Sequence, residues 1–188
     1  MKLRIEPMLL LLAHVISVGD AMASEPREQA ISTPSGTVTT TTETVDPVPQ
    51  EIQLVDAGTI AEFASMARDA KGFLSVYLTE EAEPTLEALD KAFQLWQSDG
   101  SSAYSAEEVV GIYGAYLGSR LVADFDMEWV VVTDEYGTDY AVRAKKCEVL
   151  AFPFSSIAKR VERGQFEFMV GVYYATKHTI DSGECRSR

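Results

Sequence analysis

Apolar residues recur at helical spacing through the middle of this chain and then give way to a short continuous run. Ile60, Phe63, Ala64, Ala67 and Leu74 follow a three-to-four repeat and predict a helix over 59–74. A second helix is predicted over 84–97. Pro84 sits in its first turn, where a missing N–H costs nothing, and Leu86, Leu89, Phe93 and Trp96 line one face. The polar run Asp99-Gly100-Ser101-Ser102 then breaks the chain. Ser105 and Glu108 have the S-x-x-E spacing of a capping box and open a third helix over 105–124. Its apolar face is Val109, Ile112, Tyr113, Tyr116, Leu117 and Leu121.

Beyond it the period changes. Trp129-Val130-Val131-Val132 marks a strand over 128–133, and Asp134-Glu135-Tyr136-Gly137 reads as a tight turn into a partner strand over 138–143. Ala144-Lys145-Lys146 turns again into 147–152. Connections this short favour an antiparallel meander. Two helices close the pattern. Ser155 or Ser156 can cap one over 157–163 that stops at Gly164, and Phe166, Met169, Val170, Tyr173 and Tyr174 mark another over 166–179. The expected fold class is α+β, with three N-terminal helices, a three-stranded antiparallel meander and two C-terminal helices.

The N-terminal quarter is built differently. Lys2 and Arg4 precede the apolar run from Met8 to Ile16, and Ala21-Met22-Ala23 is a small-x-small cleavage site. Residues 1–23 are expected to be a secretory signal peptide, because the apolar run is shorter than the ~20 residues that span a bilayer. Residues 24–51, crowded with Thr37, Thr39–Thr42 and Thr44 beside Pro34, Pro47 and Pro49, read as a disordered tether with too little apolar surface to offset its ordering entropy. A strand near 37–45 is the alternative, since Thr favours strands. Residues 52–188 are expected to form a single domain.

Charge narrows the choice of partner. Losing Lys2, Arg4, Glu6 and Asp20 with the signal peptide leaves the net charge at −13. A chain this acidic repels nucleic acid and anionic lipid and attracts a basic protein. Export, with no further apolar span, implies a periplasmic protein without a membrane anchor. The only cysteines, Cys147 and Cys185, would meet an oxidising compartment and are expected to form a disulfide. A loop of roughly 40 residues gives such a bridge a ceiling of about 4 kcal/mol.

No catalytic set emerges. His178 is the one histidine left after the signal peptide, and no G-x-S-x-G elbow accompanies it. No zinc spacing or calcium loop is present, so neither metal nor cofactor is expected. Glu128, beside Trp129, and Asp134 are candidates for carboxylate chemistry on peptidoglycan. Arg143, Lys145, Lys146, Lys159, Arg160 and Arg163 form a basic cluster that would suit an anion or a partner. Gly111, Gly114 and Gly118 lie on one side of the third helix and offer a close-packing or partner face.

The run Glu128-Trp129-Val130-Val131-Val132 through Asp134-Glu135-Tyr136-Gly137, followed by Phe152-Pro153 and the helix holding Lys159-Arg160, resembles an uncharacterised bacterial domain-of-unknown-function family. Its members pair a glycine-bearing helix and an E-W-V-x-x-x-D-x-Y-G hairpin with an F-P-x-x-x-x-x-K-R helix. The resemblance covers roughly 105–178. It implies a bacterial source and the α+β core, and no activity. The functional expectation is an exported, non-enzymatic binding protein, in one version an immunity-type inhibitor of a periplasmic toxin or hydrolase. The alternatives are a peptidoglycan-acting envelope hydrolase and an anion-binding module.

Overall fold

The computed structural model describes residues 10–11, 27–34, 36–42, 48–78, 82–99 and 103–182. Elements run in the order β1 (Leu10–Leu11), β2 (Arg27–Thr33), β3 (Gly36–Thr42), β4 (Glu51–Leu54), α1 (Ala57–Arg68), α2 (Ala70–Tyr77), α3 (Leu86–Ser98), α4 (Ala106–Phe125), β5 (Met127–Asp134), β6 (Gly137–Ala144), β7 (Leu150–Ala151), α5 (Pro153–Arg163) and α6 (Met169–Asp181).

This order overturns the expected arrangement. Strands precede the helices, four helices rather than three separate β4 from β5, and the main sheet has four strands in the order β4-β5-β6-β7. One cause is local. The helix expected over 59–74 breaks at Asp69, whose N–H turns back to Met66 and Ala67 carbonyls, so that two helices form. Phe63 of the first then packs on Trp129, while Phe73 of the second packs on Tyr113. The other cause is tertiary: β4 has only four residues, so the alternation of Glu51-Ile52-Gln53-Leu54 is too short to mark a strand by itself, and it pairs because Ile52 lies opposite Val132 in antiparallel register.

Part of the expected tether is also ordered. β2 and β3 pair as a hairpin whose turn is set by Gly36 at φ +140°. Ile31 and Val38 face each other across it; Ile31 packs on Ala175 and Tyr174 of α6, and Val38 reaches the main core. Two well-spaced aliphatics on β-branched strands suffice where a helix already offers a surface. Leu10 and Leu11 pair in parallel with Thr39 and Thr40. The rest of the expected signal peptide, residues 43–47 of the tether, and Cys185 lie outside the described residues.

α4 is the axis of the domain. Its capping box is present, with Glu108 N–H donating to Ser105 Oγ and Ser105 N–H donating to Glu108 Oε2. It ends at Asp126 in the left-handed region, and the chain turns directly into β5. α4 packs between α1 and α5 and lies on the face of the sheet that carries Trp129. The other face carries a separate apolar patch of Val130, Val132 and Ala141, flanked by Ile52, Leu150 and Phe152. Continuous burial of Trp129 and Val130, with Val131 half-buried, explains the unbroken apolar run of β5. Among the described residues no helix is long and apolar enough to cross a membrane.

Candidate functional site

The three stripe glycines of α4 do different things. A methyl built on Gly118 would overlap the indole of Trp129 and lie 3.1 Å from Pro153 Cγ. One on Gly114 would overlap the ring of Phe154 and lie 3.0 Å from its Cα. These two positions are notches that seat the start of α5 and the central tryptophan. Phe63 closes the cluster, with ring centroids 4.7 Å from Trp129 and 5.1 Å from Phe154. At Gly111 the nearest neighbour of such a methyl is Met66 Sδ at 3.6 Å, an ordinary contact.

The six basic candidates do not converge. Arg143 donates from Nε and Nη2 to Glu128 Oε1, at 3.2 and 2.5 Å. Lys145 and Lys146 hold Asp126 at 3.0 and 3.5 Å, and this pairing pulls the Asp126 carboxyl below its ordinary range. Arg160 is buried, donates to the Ser156 carbonyl and lies over the Phe168 ring at 5.4 Å, and its burial lowers its pKa. Lys159 and Arg163 are exposed on α5.

The two carboxylates considered for hydrolysis have structural partners. Glu128 is the acceptor for Arg143. Asp134 Oδ1 accepts the Tyr136 N–H at 2.8 Å and shapes the hairpin turn, while Gln50 Nε2 reaches its Oδ2 at 3.4 Å. Glu128 and Asp134 are absent from the linings of the three cavities considered below. Cys147 is buried and disulfide-bonded. His178 lies half-buried in the last turn of α6. Among the described residues no three His, Cys, Asp or Glu side chains gather as a metal cage would require.

A buried acid that the sequence reading passed over is the strongest polar feature of the interior. Asp90, in the middle of α3, is 6 % exposed. Its Oδ1 accepts the N–H groups of Phe168 and Met169 at 2.9 and 2.8 Å, and Oδ2 accepts that of Val170 at 3.2 Å. It therefore caps α6, which has no capping side chain of its own. Burial pushes its carboxyl up to about 6 against the lowering effect of the three N–H donors. The signal was available: Leu86, Asp90 and Phe93 share one helical face, so a charge lies on the apolar stripe. Among the described residues every buried side-chain nitrogen or oxygen has a hydrogen-bond partner.

Three cavities mark the surface. One of about 570 Å³ lies between the β2–β3 hairpin, α3 and the start of α6, with Asp90, Lys91 and Glu167 in its wall. A second of about 510 Å³ lies between the ends of α3 and α5, lined by Trp96, Gln97 and Phe166. The third, about 480 Å³, opens between the α1–α2 break and the first turns of α4. Its deepest member is the buried Ile112, beside the half-buried Gly111; Met66, Gly72 and Tyr104 flank it, and the exposed Arg68, Asp69, Glu107 and Glu108 edge it. The sequence motifs touched it only at Glu108 and Gly111, because its lining joins two stretches far apart in the chain, 66–72 and 104–112.

No curated protein matches the chain. A crystal structure of a Bacteroides thetaiotaomicron protein at 1.50 Å resolution is similar to it at 19 % identity and a TM-score of 0.49, over 71 % of this chain. The chain spans 48 % of that protein's length. Residues 97–173, from the end of α3 into α6, match the family model described as Domain of unknown function (DUF3806), so the resemblance to an uncharacterised domain family holds for this part of the chain.

Proposed function

We propose that the chain is an exported binding protein rather than an enzyme, and that it acts in the periplasm as an immunity-type inhibitor of a basic toxin or hydrolase. One observation carries this reading. The carboxylates that the sequence offered for chemistry serve the fold, while the chain keeps a large negative excess. Glu128 is tied to Arg143 and Asp134 to its own turn, and two further acids are likewise engaged, Asp126 with two lysines and Asp90 with the start of α6. A hydrolase using Glu128 and Asp134 would need them to face a cleft, and neither lines any of the three cavities. Of the six basic candidates, Arg143, Lys145 and Lys146 are paired and Arg160 is buried, which leaves Lys159 and Arg163 exposed on α5 as the cations open to an anion. What remains is a net charge of −13, which speeds encounter with a basic protein and raises the salt sensitivity of association.

The test is loss of function followed by reconstitution. Cells lacking the protein should become sensitive to one periplasmic toxin or hydrolase, and the purified chain should inhibit that enzyme stoichiometrically. Unchanged survival across such toxins would defeat the reading. So would turnover of purified cell wall by the chain that Glu128→Gln or Asp134→Asn abolishes.

A further inference from the structure

The cleft over Gly72 and Gly111 is not explained by packing. At Gly114 and Gly118 a side chain would collide with Phe154 and Trp129, and the fold demands glycine. At Gly72 and Gly111 an added methyl would meet only Tyr104 Oη and Met66 Sδ, each at 3.6 Å. Glycine weakens both helices there, yet its effect is to keep open a cavity of about 480 Å³, within the range of ligand pockets. The cavity has an apolar and aromatic interior in Ile112, Met66 and Tyr104, and a rim of three carboxylates against one guanidinium. Met66 remains 37 % exposed at the lip. The Glu108 carboxylate is fixed by Ser105, so the negative rim is rigid on that side.

An apolar floor under a negative rim fits a group with a long apolar stem and a positive end. We propose that this cleft is a socket for an arginine or lysine side chain presented by a basic protein partner. The stem would lie along Ile112 and Met66, Tyr104 would stand beside the cation, and Asp69 and Glu107 would neutralise it. The inference rests on the reading of the chain as a binder of a basic protein, and gives that reading a place on the surface.

The full chain would be titrated by NMR with the end-capped tripeptides glycyl-arginyl-glycine and glycyl-lysyl-glycine, with glycyl-glutamyl-glycine as control. The cationic peptides should shift the amides of Gly72, Tyr104 and Gly111 saturably, with dissociation constants on the order of 1 mM. Binding should weaken at least fivefold in Gly111→Leu, which fills the floor. It should weaken similarly in the double variant Asp69→Asn with Glu107→Gln, whose exposed positions leave the core untouched. Equal shifts with the glutamyl peptide, no saturable shift, or unchanged binding in the double variant would overturn the socket. The two levels separate cleanly. Cationic peptides bound at the cleft without any toxin inhibited would retain the socket and defeat the inhibitor reading. A basic enzyme inhibited equally well by the Gly111→Leu chain would retain the inhibitor and defeat the socket.

Discussion

Two stretches of α4 use the same residue for opposite ends. From the middle of the helix onward, Gly114 and Gly118 are absences filled by a neighbour, since Phe154 and Trp129 occupy the space their side chains would take. In the N-terminal half, Gly111 is an absence left unfilled, and a cleft stands over it. A glycine on a helix is thus a structural requirement or an opening according to what approaches it. The spacing 111, 114, 118 cannot distinguish the two.

The comparison is sharpest at Gly118. Gly118→Ala should destabilise the domain by about 3 kcal/mol, because the methyl must displace the indole of a packed cluster rather than a flexible side-chain end. Chemical denaturation measures this directly, and a loss near zero would mean that Trp129 has room to move. The next largest effect lies where α3 holds the start of α6. Asp90→Ala should cost about 2 kcal/mol, because three buried N–H groups at the start of α6 lose their acceptor.

Asp90 also gives that contact a pH signature. Its folded carboxyl, at about 6, lies above its ordinary value of 3.8, so the folded state keeps a proton that the unfolded chain has lost between those values. Its contribution therefore favours the folded state at the acid end of that window, declines as pH rises through it and is level above. Asp90→Asn should flatten that slope in denaturation curves taken from pH 4 to 7. The carboxyls of Glu108, at the open end, and Asp126 are held low by their hydrogen bonds and cations, and so act in the opposite sense, losing their contribution as pH falls below about 4. The smallest expected effect lies in the open half. Gly111→Ala should leave the fold intact and raise stability by about 0.5 to 1 kcal/mol, since helix propensity improves with no clash. A marked loss there would erase the contrast with Gly118.

These contrasts also mark where the sequence was readable. Elements whose evidence is local were legible: the capping box at Ser105 and Glu108, the Asp134–Gly137 turn, and Gly164 as the left-handed stop of α5. Features that need a distant partner were not. The alternation of β4 spans only four residues and becomes a strand when β5 is beside it. Ile31 and Val38 look isolated in a Thr-rich stretch until α6 supplies a surface. The basic cluster was adjacent in sequence but divided in space, because Arg143 meets Glu128 across a strand pair while Arg160 turns into the core. The cleft was only half legible for the same reason: Glu108 and Gly111 stood out, and the α1–α2 break that faces them did not.

The pairing of Glu51–Leu54 with Val130–Thr133 has a consequence for the order of assembly. The β5–β6 hairpin closes across a two-residue turn and can form within microseconds. β4 must close a loop that contains four helices, and loops of that length are reached only after local structure has shortened the search. The strand made earlier by the ribosome is therefore the later to dock, after the helices between it and its partner have gathered. Pulse-labelled hydrogen exchange should protect Val130 and Ala141, which face each other in the β5–β6 ladder, before Val55, whose N–H donates to Trp129 across that last-formed edge.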